Sequence, residues 1–350
     1  VLIDTDLTAA RVVVAGPDGL TAASVRRFTR AGADVVVLGD AAAVTPAACR
    51  GARLGVLVGP ATAWEGARTV LRATCLVVDE PAPTRGRGRA VLVGAGPGGA
   101  DVLTLAAVRA LADADVVLAD RLAEIGDLAA LAPGAEVVDV GKRPGHHAVP
   151  QEQIERLLVD RALAGLTVVR LKGGDPYVFG RGGEEVAACV AAGVPVSVLP
   201  GVTSAIAVPG AAGIPVTHRG VSHVVTVLSG HVPLDDDRAR GLVAVGGSLV
   251  VLMGVHNLVP ITAALVRAGL DADTPAAVIE RGLTPHQRSV VGTLATLPGR
   301  AARAGIASPA VVVIGEVVAQ AEVWARRVDE GVADADAHAD AARPLAGVTS

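Results

Sequence analysis

The side chains best suited to chemistry sit in short glycine- and proline-rich stretches, each directly after an apolar run. Leu171–Glu185 (LKGGDPYVFGRGGEE) is the richest of them. The paired glycines Gly173 and Gly174 let a ligand touch the main chain. Asp175 can accept from ribose hydroxyls or an amino group, and Arg181 adds a cation inside a second glycine cluster. A plain turn needs neither Arg181 nor three separate glycine steps. Val91–Gly99 (VLVGAGPGG) satisfies G-x-G-x-x-G, with Asp120 at the end of the next strand-like run. On its own that pattern suggests a dinucleotide site with Asp120 on a ribose. Pro97 argues otherwise, because it removes a backbone N–H that a pyrophosphate cradle would use. The loop suits close approach of an uncharged nucleoside better, and a tight turn with no ligand fits the same letters.

Gly141–Gln151 (GKRPGHHAVPQ) concentrates Lys142, Arg143, His146 and His147 in one loop. In outline it is a carboxylate-binding surface; the bland alternative is a solvated charged loop. Neighbouring histidines converge poorly on one ion, so no metal is expected. Pro200–Ala205 (PGVTSA) offers the Thr203 and Ser204 hydroxyls, either as a helix cap or to a ligand. Thr217-His218-Arg219 ends in a cationic pair, and Ser229-Gly230-His231, Leu252-Met253-Gly254 and Glu280-Arg281-Gly282 are further strand-end pieces. No Ser-His-Asp order, P-loop or H-E-x-x-H is present.

The elements that must position these residues follow from hydrophobic patterning. Over 1–80, strands are predicted at 11–15, 34–38, 54–58 and 76–78, with helices at 21–31 and 64–73. The stretch 81–89 is rich in Pro, Gly and Arg and reads as a linker. Strand and helix then alternate over 90–200, with strands at 90–93, 115–119, 136–140, 167–171 and 195–199. A helix over 151–164 turns Ile154, Leu157 and Leu158 to one face. Such alternation implies a parallel sheet covered on both sides, and ligands of such sheets bind beyond the carboxyl ends of the strands. The region 201–320 is more mixed, with strands at 223–228, 248–253, 276–279, 289–291 and 310–314. The tail 321–350 is acidic; a frayed helix near Trp324 followed by disorder is expected there.

Composition narrows the function classes. Hydrophobic residues make up 51% of the 350 and aromatics only 1%, so the core must be built from small aliphatic side chains. With 31 basic and 35 acidic residues the chain has no overall basic field for nucleic acid. An anionic small molecule would need a local cluster. Lys142 and Lys172 are the only lysines, which makes both conspicuous. Three widely spaced cysteines fit neither a zinc site nor a disulfide framework. The acidic N-terminus does not read as a signal peptide, and the apolar run 194–216 is broken by four prolines, so no membrane span is expected. A cytoplasmic setting fits.

Taken in order, VLVGAGPG, ADRL (119–122), VGKRPGHHAVPQ, VVRLKGGDPYVFGRGGEE, PGVTSA, AGIPVTHR, the Met253-Gly254 pair, TPHQRSVVGTL (284–294) and SPAVVVIGEVV resemble the uroporphyrinogen-III C-methyltransferases. These lie within the tetrapyrrole methylase, or class III S-adenosylmethionine-dependent, fold. The resemblance covers about 88–320. It implies two α/β subdomains, 90–200 and 201–320, with S-adenosylmethionine in the cleft between them, and a homodimer. It also implies C-methylation of uroporphyrinogen III at C2 and C7 to give precorrin-2, on the siroheme and cobalamin branch. Carried over by position, Pro97, Gly173, Gly174, Asp175, Val178, Thr203, Ser204, Met253 and Gly282 are the implied cofactor contacts, and Asp120 and Lys142 the proton-handling pair. Arg143, His146, Arg181, His218, Arg219 and Arg288 are expected to bind the carboxylates of the macrocycle. Gly99-Ala100 departs from the family's usual GPGDP-like loop, and Ala119 stands where a tyrosine is usual. Residues 1–80 resemble a shortened, Rossmann-like remnant of the dehydrogenase-chelatase domain fused to this enzyme in siroheme synthases. Ala15–Leu20 lacks the nucleotide-binding glycine pattern, so no precorrin-2 oxidation and no ferrochelation are expected. The competing readings are a methylase of a later corrin precursor, an NAD-linked dehydrogenase built on Gly94–Gly99 and Asp120, and a non-catalytic tetrapyrrole-binding protein.

Overall fold

A computed structural model describes residues 7–17, 20–59, 61–80, 88–120, 128–141 and 149–321. The chain forms two compact units. The first runs to Gly96 and resumes over Ala100–Gly201; the second takes Pro97–Gly99 and everything from Val202.

The first unit carries two parallel sheets. Strands β1 (Arg11–Ala15), β2 (Asp34–Leu38), β3 (Leu54–Val58) and β4 (Leu76–Glu80) lie in the order β2-β1-β3-β4. Two α-helices, α1 (Ala22–Arg30) and α2 (Glu65–Arg72), and two short 3-10 turns connect them. The central β3 is buried along its whole length, as a parallel strand between two apolar layers must be. The second sheet has the order β7-β6-β8-β5-β9, from β5 (Arg89–Gly94), β6 (Val116–Ala119), β7 (Glu136–Asp139), β8 (Thr167–Lys172) and β9 (Val196–Leu199). Here β5 begins at Arg89, inside the expected linker.

Side-chain alternation along these strands builds two cores. Val91, Val93, Val117, Val169 and Leu171 pack towards α3 (Leu105–Ala112) and α4 (Leu128–Leu131). Ala90, Leu92, Val116, Leu118 and Val168 pack towards α5 (Gln151–Leu163) and α6 (Gly182–Ala191). Ile154 and Leu158 are buried and Leu157 partly so, the face predicted for α5. The two sheets of this unit are tied by Arg26 of α1. It donates to the Gly134 carbonyl at 3.1 Å and to Asp115 Oδ1 at 3.2 Å, while Asp115 Oδ2 accepts from the Thr167 N–H at 2.9 Å.

The second unit begins with α7 (Ser204–Ala211). It continues through β10 (Val225–Ser229), α8 (Asp236–Val245), β11 (Ser248–Leu252), α9 (Leu258–Arg267), β12 (Pro275–Glu280), β13 (Arg288–Thr293), α10 (Leu297–Arg303) and β14 (Ala310–Ile314). The sheet order is β10-β11-β14-β12-β13. Only β10 and β11 run parallel; β14 enters between β11 and β12, antiparallel to both. This is the mixed character the sequence suggested. Among the described residues no helix is long and apolar enough to cross a membrane. The expected helix near Trp324 and the rest of the tail from 322 lie outside the described residues.

Candidate active site

In the first unit, the chemistry-bearing loops leave the carboxyl ends of adjacent strands. The main chains after β5, β8 and β9 approach so closely that side chains are excluded. A Cβ on Gly201 would lie 2.2 Å from the Gly174 carbonyl oxygen, and one on Gly94 would lie 2.4 Å from the Gly201 nitrogen. Gly96 and Gly174, both at positive φ, exchange backbone hydrogen bonds of 2.9 and 3.1 Å. Glycine is needed here for conformation and for space.

Asp175 locks this arrangement. Its Oδ1 accepts from the Tyr177 N–H at 2.9 Å and its Oδ2 from the Gly201 N–H at 3.1 Å. An ionised carboxylate has further lone pairs, so a ligand hydroxyl remains compatible. The loop then coils tightly. Phe179 and Arg181 adopt positive φ, and Gly182 donates to the Pro176 carbonyl at 3.0 Å. Val178 is half-buried within it. Arg181 is exposed at the start of α6 and pairs with Glu184 through bonds of 2.9 and 2.6 Å. An exposed pair of this kind contributes little, so the guanidinium can exchange to a stronger anion.

Asp120 follows β6, its N–H donating to the Leu171 carbonyl at 3.0 Å. Its side chain is 31% exposed. Behind it lies a charged set buried in the sheet. Arg170 Nη2 donates to Asp120 Oδ1 at 2.9 Å, and Arg170 Nε donates to Glu185 Oε1 at 2.9 Å. Lys172 Nζ donates to the same Glu185 oxygen at 3.0 Å. Burial, and then the neighbouring Arg170, push the Lys172 ammonium below the usual lysine range, against the pull of Glu185 and Asp120. Sequence reasoning noticed Lys172 but gave neither it nor Arg170 nor Glu185 a role. The available signal was two cations inside a strand of buried parallel type, where a charge must find a partner.

The second unit presents its own strand-end loops. Thr203 caps α7, its hydroxyl accepting from the Ala205 N–H at 3.3 Å, and Ser204 is the first helical residue. Met253, Arg281 and Leu283 follow β11 and β12 at positive φ. A left-handed conformation outside glycine costs roughly 1–2 kcal/mol per residue, so strain gathers at these strand ends. Gly282 has no room for a side chain, since a Cβ would meet Val208 of α7 at 2.4 Å. Pro97–Gly99 packs here as well: a Cβ on Gly98 would lie 2.4 Å from the Leu283 carbonyl oxygen. A close main chain at Gly98 and Gly282, hydroxyls at the start of α7 and an exposed Met253 together suit a nucleoside-bearing ligand.

Arg219 is exposed at the tip of a hairpin closed by reciprocal His218 and Ser222 backbone bonds. His218 Nδ1 is buried and finds no partner among the described residues. Arg288 is exposed and already has partners. Its guanidinium is held by Glu280, including an Nε bond of 2.8 Å, and by the Ala304 and Gly305 carbonyls, each at 3.0 Å. It braces β13 against the end of α10. Lys142, Arg143 and His146 lie outside the described residues.

Residues 89–298 match the family described as Tetrapyrrole (Corrin/Porphyrin) Methylases. A siroheme synthase of Thiobacillus denitrificans is 42% identical over 264 residues, which is 74% of this chain and 55% of that protein. The chain spans about half the length of the curated relatives it matches. Among solved structures, uroporphyrin-III C-methyl transferase from Thermus thermophilus complexed with S-adenyl homocysteine is 46% identical. That match covers 66% of this chain and 99% of that one, with a TM-score of 0.55. A cobalamin biosynthetic enzyme, cobalt precorrin-4 methyltransferase, is 27% identical with a TM-score of 0.57.

Proposed function

This chain belongs to the tetrapyrrole methylase family, and from that premise we propose that it is a uroporphyrinogen-III C-methyltransferase, methylating C2 and C7 with S-adenosylmethionine to give precorrin-2. The observation that carries the reading is the contrast in identity. The two folds match this chain equally well, but sequence identity is 46% to the Thermus thermophilus enzyme and 27% to the precorrin-4 methyltransferase. Pro97, Gly173, Gly174, Asp175, Val178, Thr203, Ser204, Met253 and Gly282 are proposed as contacts of S-adenosylmethionine. The glycine-only approaches around Gly174 and Gly282 support this set.

When bound, S-adenosylmethionine supplies a methyl group already activated by its sulfonium. The chain's residues are left to bind charge, orient the ring and move a proton. Arg181, His218 and Arg219, with Arg143 and His146, are proposed to bind the substrate carboxylates. Asp120 accepts the proton that the methylated macrocycle loses on returning to neutrality, with Lys142 tuning it or acting as acid. Arg288 is proposed with the carboxylate-binding set; a substrate carboxylate would there compete with Glu280 and the Ala304 and Gly305 carbonyls for the guanidinium. A cytoplasmic homodimer is the form proposed for the enzyme.

Calorimetry and a substrate panel test this reading. The protein is expected to bind S-adenosylhomocysteine and not NAD, and to turn over uroporphyrinogen III in preference to later corrin precursors. Binding of NAD alone, or turnover of a later precursor only, would overturn it.

A further inference from the structure

The sheet face that carries Val168 is aliphatic until it reaches Arg170 and Lys172, which meet Glu185 of α6. Glu185 is fully buried, Arg170 2% exposed and Lys172 3% exposed. Such buried charges often stabilise a fold no better than well-packed aliphatic residues of similar size, so fold stability alone is a weak reason for them. Their geometry gives a stronger one. Each group of the guanidinium is engaged: Nε by Glu185, Nη1 by the Leu118 and Leu171 carbonyls at 3.2 and 3.1 Å, and Nη2 by Asp120 Oδ1. Arg170 therefore has one orientation, and among the described residues its only partner that reaches the surface is Asp120.

Glu185 completes the set. One of its oxygens takes both cations, while Oε2 accepts no hydrogen bond among the described residues. By taking Lys172, it leaves Arg170 as the single cation bonded to Asp120 among the described residues. We propose that Arg170, clamped by Glu185, is a positioning residue that fixes the Asp120 carboxylate for proton removal. The inference rests on the reading of Asp120 as proton acceptor.

A double-mutant cycle tests it. Wild-type protein is first assayed with uroporphyrinogen III and S-adenosylmethionine; absence of turnover there would sink the proposed function rather than the positioning role. Asp120→Asn, Arg170→Gln and the double variant are then compared, with folding checked by S-adenosylhomocysteine binding. Loss of a positioned acid-base group lowers kcat by about a hundredfold or more, and that is expected for Asp120→Asn. Arg170→Gln is expected to lower kcat at least about tenfold with KM changed by less than about twofold, because it acts through orientation. Since both act through one carboxylate, the double variant should match Asp120→Asn within about twofold. Losses that multiply, or unchanged kcat in Arg170→Gln, would overturn the proposal. Should Arg170→Gln fail to bind S-adenosylhomocysteine, Glu185→Gln replaces it under the same criteria, since it keeps the side-chain shape and an acceptor oxygen.

Discussion

A methyl group at position 201 would need to occupy the same space as the Gly174 carbonyl. Gly201→Ala should therefore destabilise the protein by about 1–3 kcal/mol, the range for overpacking a closed site, and weaken S-adenosylhomocysteine binding. An unchanged denaturation midpoint in urea would refute that account of the glycine cluster. The placement of the candidate residues was largely legible in spacing: Asp120, Gly173–Asp175 and Arg181 each follow an apolar run, and each lies at or beyond a strand end. Their partners were not legible. Asp175 bonds to Gly201, Arg170 to Asp120 and to Glu185, and Arg288 to Gly305, all across distances in the chain that local pattern does not encode.

Two helix caps separate structural from functional contributions at the level of elements. Asp235 caps α8 by accepting from the Arg238 N–H at 2.8 Å, and Thr203 caps α7. Removing either cap should cost about 1 kcal/mol. Asp235→Ala is expected to leave methylation unchanged, whereas Thr203→Ala should also weaken S-adenosylhomocysteine binding, both measured by calorimetry and turnover. Equal binding in the two variants would reduce Thr203 to a cap. The parallel sheet of 89–199 could be anticipated because helices interrupt its strands at regular intervals. The antiparallel insertion of β14 between β11 and β12 could not, since Ala310–Ile314 has the apolar look of any buried strand and sheet order is set by distant neighbours.

At the scale of the whole molecule, the N-terminal sheet shares a unit with the sheet that bears Asp120. Arg26 links them through Asp115, but the pair is partly exposed. Arg26→Ala should therefore change stability by less than about 1 kcal/mol; a larger loss in urea titration would mean that this layer supports the sheet bearing Asp120 more strongly than its charges suggest. Within that layer Gly16 has a packing explanation, since a Cβ would meet the Val58 carbonyl at 2.4 Å. No NAD reduction is expected when precorrin-2 is supplied, and NADH formation by absorbance would contradict this. Purified protein incubated anaerobically with uroporphyrinogen III and methyl-labelled S-adenosylmethionine, followed by mass analysis, is predicted to yield a product bearing two labelled methyl groups. No incorporation, or incorporation only into a macrocycle already methylated, would contradict it.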